Sequence, residues 1–594
     1  MLGFRKGKTA SLLVLLLSAG CSRGTTEPVV EPPATCTPQN TVQLNVGGAL
    51  RLAGPEARTL CIAGQQGAEF VLVPAFATSD SGRTLRARFE AEATEPVTSG
   101  AQTSSPLGRS PIPESLHLGG ALLALEEGAH SSSFHDDLRR REARELSPRI
   151  VGGGSAGVGD RGIGGGVALI DGDPSGDVIV PAVGALLTLN AQPKEACSNA
   201  LPRTGMVRAV SDWAIVVSDT ASPALGFSTA DFQAIATTVD TLLIPLVHRY
   251  FGTFTDLDNN GRVILFFTPE VNRLTEPGSD RSVGGFFFAR DLFPRTSVPN
   301  RFEGCATSNV GEVLYLLVPD PQGTINGNRR TLDSVRRATP ATIVHELQHL
   351  INAARRIHIL QRSASAAFET VWLNEGLSHT AEELAFFQSA GLSRQSNLGL
   401  AEVQAGGSRA LNAINQFHVP NLLRFRLYLE APDSNSPTLP EDRLQTRGAT
   451  QVFLRYAIDR AGGSDESFLR GLVDAPTIGW SNLSSRVGGS AVLERWIGDW
   501  AVAVFADDRV SPNHPDHRLA SWSYPSLFAG LGIPSYPLLV RTLSARDPPL
   551  ELTLVGGGSS HLRFSVPSGT ARIVISSGTQ PLPPEFRATL LRTR

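Results

Sequence analysis

Hydrophobic and polar positions follow two periods along this chain, and the change between them marks its organisation. Apolar residues alternate with polar ones at 42–46 and 85–89, and a short apolar run fills 70–73, with turn residues between. Period two fits strands buried on one face, so 42–92 predicts a small β-sandwich. Residues 183–189, 205–210 and 213–217 read as strands of a second β unit, followed by an amphipathic helix over 229–250. Apolar runs at 263–267 and 313–318 predict two more strands. The period then shifts to 3.6. Ile343, Leu347, Leu350 and Ala354 fall on one helical face, with Thr339 as N-cap and Pro340 at the first helical position. A second helix is expected from about Asn374, and further helices over 447–461 and 491–506. Trp496 and Trp500 are four apart, a packing stripe. Alternation returns at 550–555, 562–566 and 571–575. The fold class is α+β and multidomain: an N-terminal β-sandwich, a core with a mainly helical C-terminal half, and a small C-terminal β domain.

The connecting stretches set the boundaries. Arg5, Lys6 and Lys8 precede an apolar run at 12–17, too short to anchor in a bilayer, so 1–20 reads as an export signal. The run ends in Ser18, Ala19, Gly20 and Cys21, a lipobox-like order that would place a lipid on Cys21, although Ser18 stands where Leu is usual. Residues 21–35 read as a tether, 36–120 as the N-terminal β domain with a Ser/Pro/Gly-rich end, 121–179 as a linker, 180–545 as the central domain and 546–594 as the C-terminal β domain. Within the linker, 134–146 is a short charged helix candidate, and 139–166 reads as a basic, Gly-rich hinge open to proteolysis.

Composition narrows the class. The 594 residues are 41% hydrophobic and 18% charged with a formal net charge of -3, an ordinary globular balance with no case for nucleic-acid binding. If Cys21 carries a lipid, Cys36, Cys61, Cys197 and Cys305 remain, and an even number outside the cytoplasm favours disulfides. Three pairings are open; Cys36–Cys61 with Cys197–Cys305 is the simplest, because each bond stays within one domain. The expected location is the bacterial cell envelope, membrane-anchored by lipid only, or the secreted fraction.

The candidate chemistry lies at 345–383. His345, Glu346 and His349 form HExxH; on a helix the two imidazoles share a face and can bind one zinc ion, with Glu346 beside a metal-bound water. A hydrolytic zinc takes a third protein ligand, for which Glu375 in WLNEGLSHTAEE is the natural residue. Glu382, two turns further, can accept a hydrogen bond from a liganding histidine. His358 reads as a surface residue at a helix end, and His514 and His517 as solvated loop residues. Asp256, Asp258 and Asn260, with Gly261 at the turn, match the first half of a calcium loop, though Phe267 stands where an acid would close it; a tight turn opening a strand is the other reading.

HELQHL followed by WLNEGLSHTAEEL resembles the gluzincin metallopeptidases, and among them the hyicolysin-like bacterial family, as do GATQVFLRY at 448–456 and the stretch 308–316. The resemblance implies a thermolysin-like peptidase core, Zn2+ as cofactor, protein or peptide substrates, and an edge strand, assigned here to 313–318, that pairs with extended substrate. It implies an exported zinc endopeptidase with Glu346 as the general base. Tyr456, Arg447 (where relatives carry Tyr) and His379 are the candidates for stabilising transition-state charge. Two alternatives stand beside it: a zinc aminopeptidase, for which no GxMEN-type amine anchor is present, and a catalytically silent surface-binding lipoprotein.

Overall fold

The computed structural model describes residues 35–97, 133–152, 180–279, 282–511, 514–533 and 536–594. The expected signal, Cys21 and almost all of the tether lie outside the described residues. The molecule is α+β and multidomain, as the hydrophobic pattern indicates.

The two ends of the chain build one β-sandwich rather than two β domains. One sheet runs β1 (Thr41–Val42), β3 (Thr59–Ala63), β15 (Thr570–Ser576), β5 (Thr84–Glu92), β13 (Leu550–Val555); the other runs β12 (Arg541–Thr542), β14 (Leu562–Ser565), β4 (Glu69–Phe76), β16 (Phe586–Arg592), β2 (Ala49–Ala53). N-terminal and C-terminal strands are interleaved in both sheets, with β5 between β13 and β15 and β4 between β14 and β16. Leu60, Phe70, Leu72, Phe89, Leu554, Phe564, Ile573 and Leu590 fill the space between the sheets. Each end supplies only part of a sandwich, so neither apolar face can be covered without the other.

The central domain opens with a mixed sheet in the order β10 (Gly285–Phe287), β11 (Val313–Leu316), β9 (Val263–Phe267), β8 (Ala214–Asp219), β7 (Pro202–Val210), β6 (Leu186–Asn190). The run 313–318 is therefore interior, and the edge strand beside the HExxH helix is β10, with β6 at the far edge. The sequence hides this because β10 is three apolar residues among other apolar ones. The run Thr229–Tyr250, apolar and long enough to cross a membrane, packs here against β7 and the HExxH helix. That helix spans Leu332–Ala354, begins seven residues before the expected cap, and lies on β10 and β11. Thr331 is the N-cap, accepting from the Ser334 amide, and Pro340 sits inside the helix. An internal proline forfeits one backbone bond. The apolar face is fully buried from Ile343 to Leu350, and tertiary packing overrides the local preference. Glu375 lies on the next long helix, Val371–Ala390, which also packs on helix Leu444–Ala461.

Both disulfides take the simplest pairing, Cys36–Cys61 and Cys197–Cys305, consistent with an oxidising compartment. Of the expected linker 121–179, the stretch 133–152 is not a linker, while 121–132 and 153–179 lie outside the described residues. Residues 133–152 are ordered against the central domain as helix Ser133–Arg141, a wider turn Glu142–Leu146 and a bridge from Ile150 to Phe302. Leu138 and Leu146 are buried in the main core. The hinge expected from 139 is thus helical at its start, with Arg139 buried rather than open to proteolysis.

Candidate metal centre

Two helices and two hydrogen-bond chains bring the expected donors together. His345 Nε2 lies 3.2 Å from His349 Nε2 and 3.4 Å from Glu375 Oε2, and His349 Nε2 lies 3.4 Å from Glu375 Oε1. Bonds of about 2.0–2.1 Å to a tetrahedral ion put its donors roughly 3.3 Å apart, so the three atoms have the spacing of ligands around one centre. Both Glu375 oxygens are buried without a hydrogen bond of regular geometry, Oε2 being met by the Arg447 guanidinium at 3.1 Å, and an ion at the centre would complete their coordination.

The other ring nitrogens fix the tautomers. His345 Nδ1 donates to Glu382 Oε1 at 2.8 Å, and His349 Nδ1 donates to Asn374 Oδ1 at 3.1 Å. Both imidazoles therefore present Nε2 to the centre. Glu382 is held in turn by Asn421 Nδ2 at 2.9 Å, and Asn374 by Asn352 Nδ2 at 2.9 Å. Burial opposes charge on His345, but Glu375 and Glu382 outweigh it and push the group up to about 9. Burial and the neighbouring Arg139 take His349 down to about 3. Glu375 lies well below the usual range: burial works against its charge, and Arg447 and His349 overcome it.

Glu346 points to the same centre from the β10 side. Its Oε2 accepts from the Phe287 amide at 2.9 Å. Burial raises its proton affinity, partly offset by His345 and Arg139.

The three charge-stabilising candidates separate. Arg447 is in the site: Nη1 lies 3.1 Å from Glu375 Oε2, and the rest of its fork holds Asp442. His379 is also present, but as a donor. Burial takes it down to about 3, and its Nδ1 donates to Glu382 Oε1 at 3.0 Å. His379, His345 and Glu375 also lie within 4.8 Å of one another, while the trio containing His349 has the spacing of tetrahedral bonding. Tyr456 is not in the site; its hydroxyl donates to the Asp516 carbonyl at 2.7 Å, beside Arg460. The helix carries it to the sandwich side of the domain.

Other expectations change with burial. His358 is a buried residue bonded to the Leu292 carbonyl at 2.9 Å, and His517 is buried beside Asp499 at 3.7 Å; only His514 is exposed. Asn260 is not turned as a calcium ligand: its Oδ1 accepts from the Arg262 amide and its Nδ2 donates to Asp258 Oδ2, each at 2.6 Å. Asp256 Oδ1 accepts from the amides of Asn260 and Gly261, the bonds of a tight turn. The third carboxylate near Asp256 and Asp258 is Glu312, which accepts from Thr255 and Leu257.

Sequence reasoning missed the supports of the site. Asn421 and Asp442 carry no motif signal, and Asn374 lies inside the WLNEG motif without a role assigned to it, because each acts only through the fold that apposes it. Arg139 was missed for the opposite reason: its charged surroundings read as an exposed linker. Yet Arg139 Nη2 lies 3.8 Å from Glu346 Oε2 and Nε 3.9 Å from Glu375 Oε1.

No protein-family model matches this chain, and no curated protein matches it significantly.

Proposed function

We propose that this protein is a zinc metallopeptidase of the gluzincin type, resembling the hyicolysin-like enzymes, that hydrolyses internal peptide bonds in protein substrates. The reading is carried by one observation: two Nε2 atoms and the Glu375 carboxylate, brought together from two helices, stand 3.2–3.4 Å apart. His345, His349 and Glu375 would hold the ion, and when bound it supplies Lewis acidity to a scissile carbonyl and acidity to a water. Glu346, buried and raised in proton affinity, takes the proton of that water and returns it to the leaving amine. Glu382 and Asn374 keep both imidazoles in the required tautomer. Arg447 positions Glu375. Its side chain is the transition-state candidate best placed to reach the reacting centre, while Tyr456 is withdrawn from that role.

Metal analysis and hydrolysis of denatured casein test the reading. The purified chain should hold one zinc per molecule. Glu346→Gln should keep that zinc and lose at least about 100-fold in casein hydrolysis, the scale of a removed general base. A protein that takes up no zinc, or a Glu346→Gln variant as active as the native chain, would end the proposal.

A further inference from the structure

We propose that residues 133–149 are an intramolecular inhibitor, a helix and turn lodged across the Glu346–Glu375 cleft, with the Arg139 guanidinium closing the centre. The inference rests on the peptidase reading and adds how that site is controlled.

The site is closed as it stands. Glu346 is 2% exposed, Glu375 1% and His345 5%, so no polypeptide carbonyl can reach them. A cavity beside the centre, lined in part by Arg139, Glu142, His349 and Asn374, measures about 10 Å³, room for at most one water. Residues 133–149 are what covers it. Arg139 sits among three carboxylates: Glu142 at 2.6 Å, Glu346 at 3.8 Å and Glu375 at 3.9 Å. Phe134 meets Phe286 of β10 edge-on at 5.3 Å. His135, one turn before Arg139 on the same face, has its Nδ1 buried without a partner.

The segment also takes the backbone groups that substrate would need. Arg139 Nη2 donates to the Phe287 carbonyl at 3.1 Å, and the Ala289 amide donates to Glu142 Oε1 at 2.7 Å. Both groups follow the free side of the edge strand, where an extended peptide would pair. A helix cannot offer a strand's backbone partners, so the side chains of Arg139 and Glu142 supply them instead.

A helix placed only for stability would meet this wall with apolar residues, because a buried guanidinium is costly to desolvate. Here the guanidinium lies against the carboxylates that a divalent cation would also use. Opening the segment would expose the centre to chelator and substrate alike, so one open–closed equilibrium governs access for both.

The test uses the full chain, zinc-loaded, as the native protein and as Arg139→Ala, Glu142→Ala and Arg140→Ala. Arg140 is on the exposed side of the same helix, paired with Asp136. Two rates are read: zinc removal by excess dipicolinate, and cleavage of a quenched fluorescent peptide. Arg139→Ala and Glu142→Ala should each raise both rates at least about tenfold, the effect of one lost ion pair on an open–closed equilibrium, while Arg140→Ala matches the native chain. Faster zinc removal without cleavage in any protein would uphold the cover and remove the peptidase reading. Cleavage present and equal in all folded variants, with unchanged zinc removal, would overturn the cover and leave the peptidase reading standing. Should the variants fail to fold, hydrogen exchange on the native chain decides. A bound peptide hydroxamate should strip protection from the amides of 133–149, and a bound hydroxamate that leaves them protected overturns the inference.

Discussion

Glu382 shows how much of this site depends on a residue that touches no substrate. Its Oε1 accepts hydrogen bonds from both His345 Nδ1 and His379 Nδ1, and its Oε2 accepts one from Asn421 Nδ2. Glu382→Gln keeps the shape but places a neutral amide opposite two N–H donors. Zinc affinity should fall about 10- to 100-fold, the usual effect of removing a carboxylate behind a liganding histidine, as read by competition with a chelating dye. An unchanged affinity would mean that His345 is oriented by helix packing alone. The donor residues and Glu382 were legible from spacing, since helical periodicity fixes which side chains share a face. Asn374 was not, and Arg447 was named only as a charge-stabilising candidate and not as the partner of Glu375, since both contacts run across helices.

Between elements, small residues decide how closely the site helices approach. A Cβ on Gly448 would stand 2.3 Å from the Arg424 carbonyl carbon and 2.4 Å from the Phe425 nitrogen, backbone atoms of the facing helix Val419–Leu429. A Cβ on Gly376, in the Glu375 helix, would meet Thr450 Cγ2 at 2.4 Å. The GATQVFLRY segment is therefore a packing seam rather than a source of chemistry, and its tyrosine points away from the candidate metal centre. Gly448→Ala should destabilise the fold by about 1–3 kcal/mol through overpacking, seen as a lower melting temperature. A melting point equal to the native one would show that the helices can separate at no cost. The Leu332–Ala354 helix makes the complementary point: its start lies at Thr331, because burial of its apolar face outweighs the local preference of Pro340 for a helix N-terminus.

At the scale of the whole molecule, the sandwich joined from both chain ends is tied to the helical part by a charge network. Asp499, on helix Ser490–Ala506, takes Arg51 Nε at 2.7 Å from β2 and Arg460 at 2.8 Å, with His517 beside it. Burial opposes its charge, but His517, Arg51 and Arg460 hold it down to about 2. A carboxylate depressed in the folded state adds stability that is complete above its ordinary value near 4 and is lost as pH falls toward 2. Arg51 is partly exposed, which weakens the pair, so the contribution is about 1–2 kcal/mol. Asp499→Asn should remove that part of the acid transition between pH 4 and 2 in a pH-dependent melt, and an identical pH profile would refute the assignment. Residues 36–97 and 541–594 share both sheets, so the N-terminal β strands cannot be a discarded leader without dismantling the sandwich.

The sequence alone determined the α+β class, the positions of most strands and helices, the set of donor residues and the disulfide pairing it favoured, because periodicity and local spacing are properties of the chain itself. Only the tertiary structure decided that the two terminal β regions are one sandwich and that β10 is the edge strand. It likewise decided that Tyr456 faces away, and that a charged stretch resembling a linker lies over Glu346 and Glu375. Each of these depends on which distant surfaces meet. A run of arginines and glutamates looks solvent-exposed until the carboxylates that neutralise it are brought within reach.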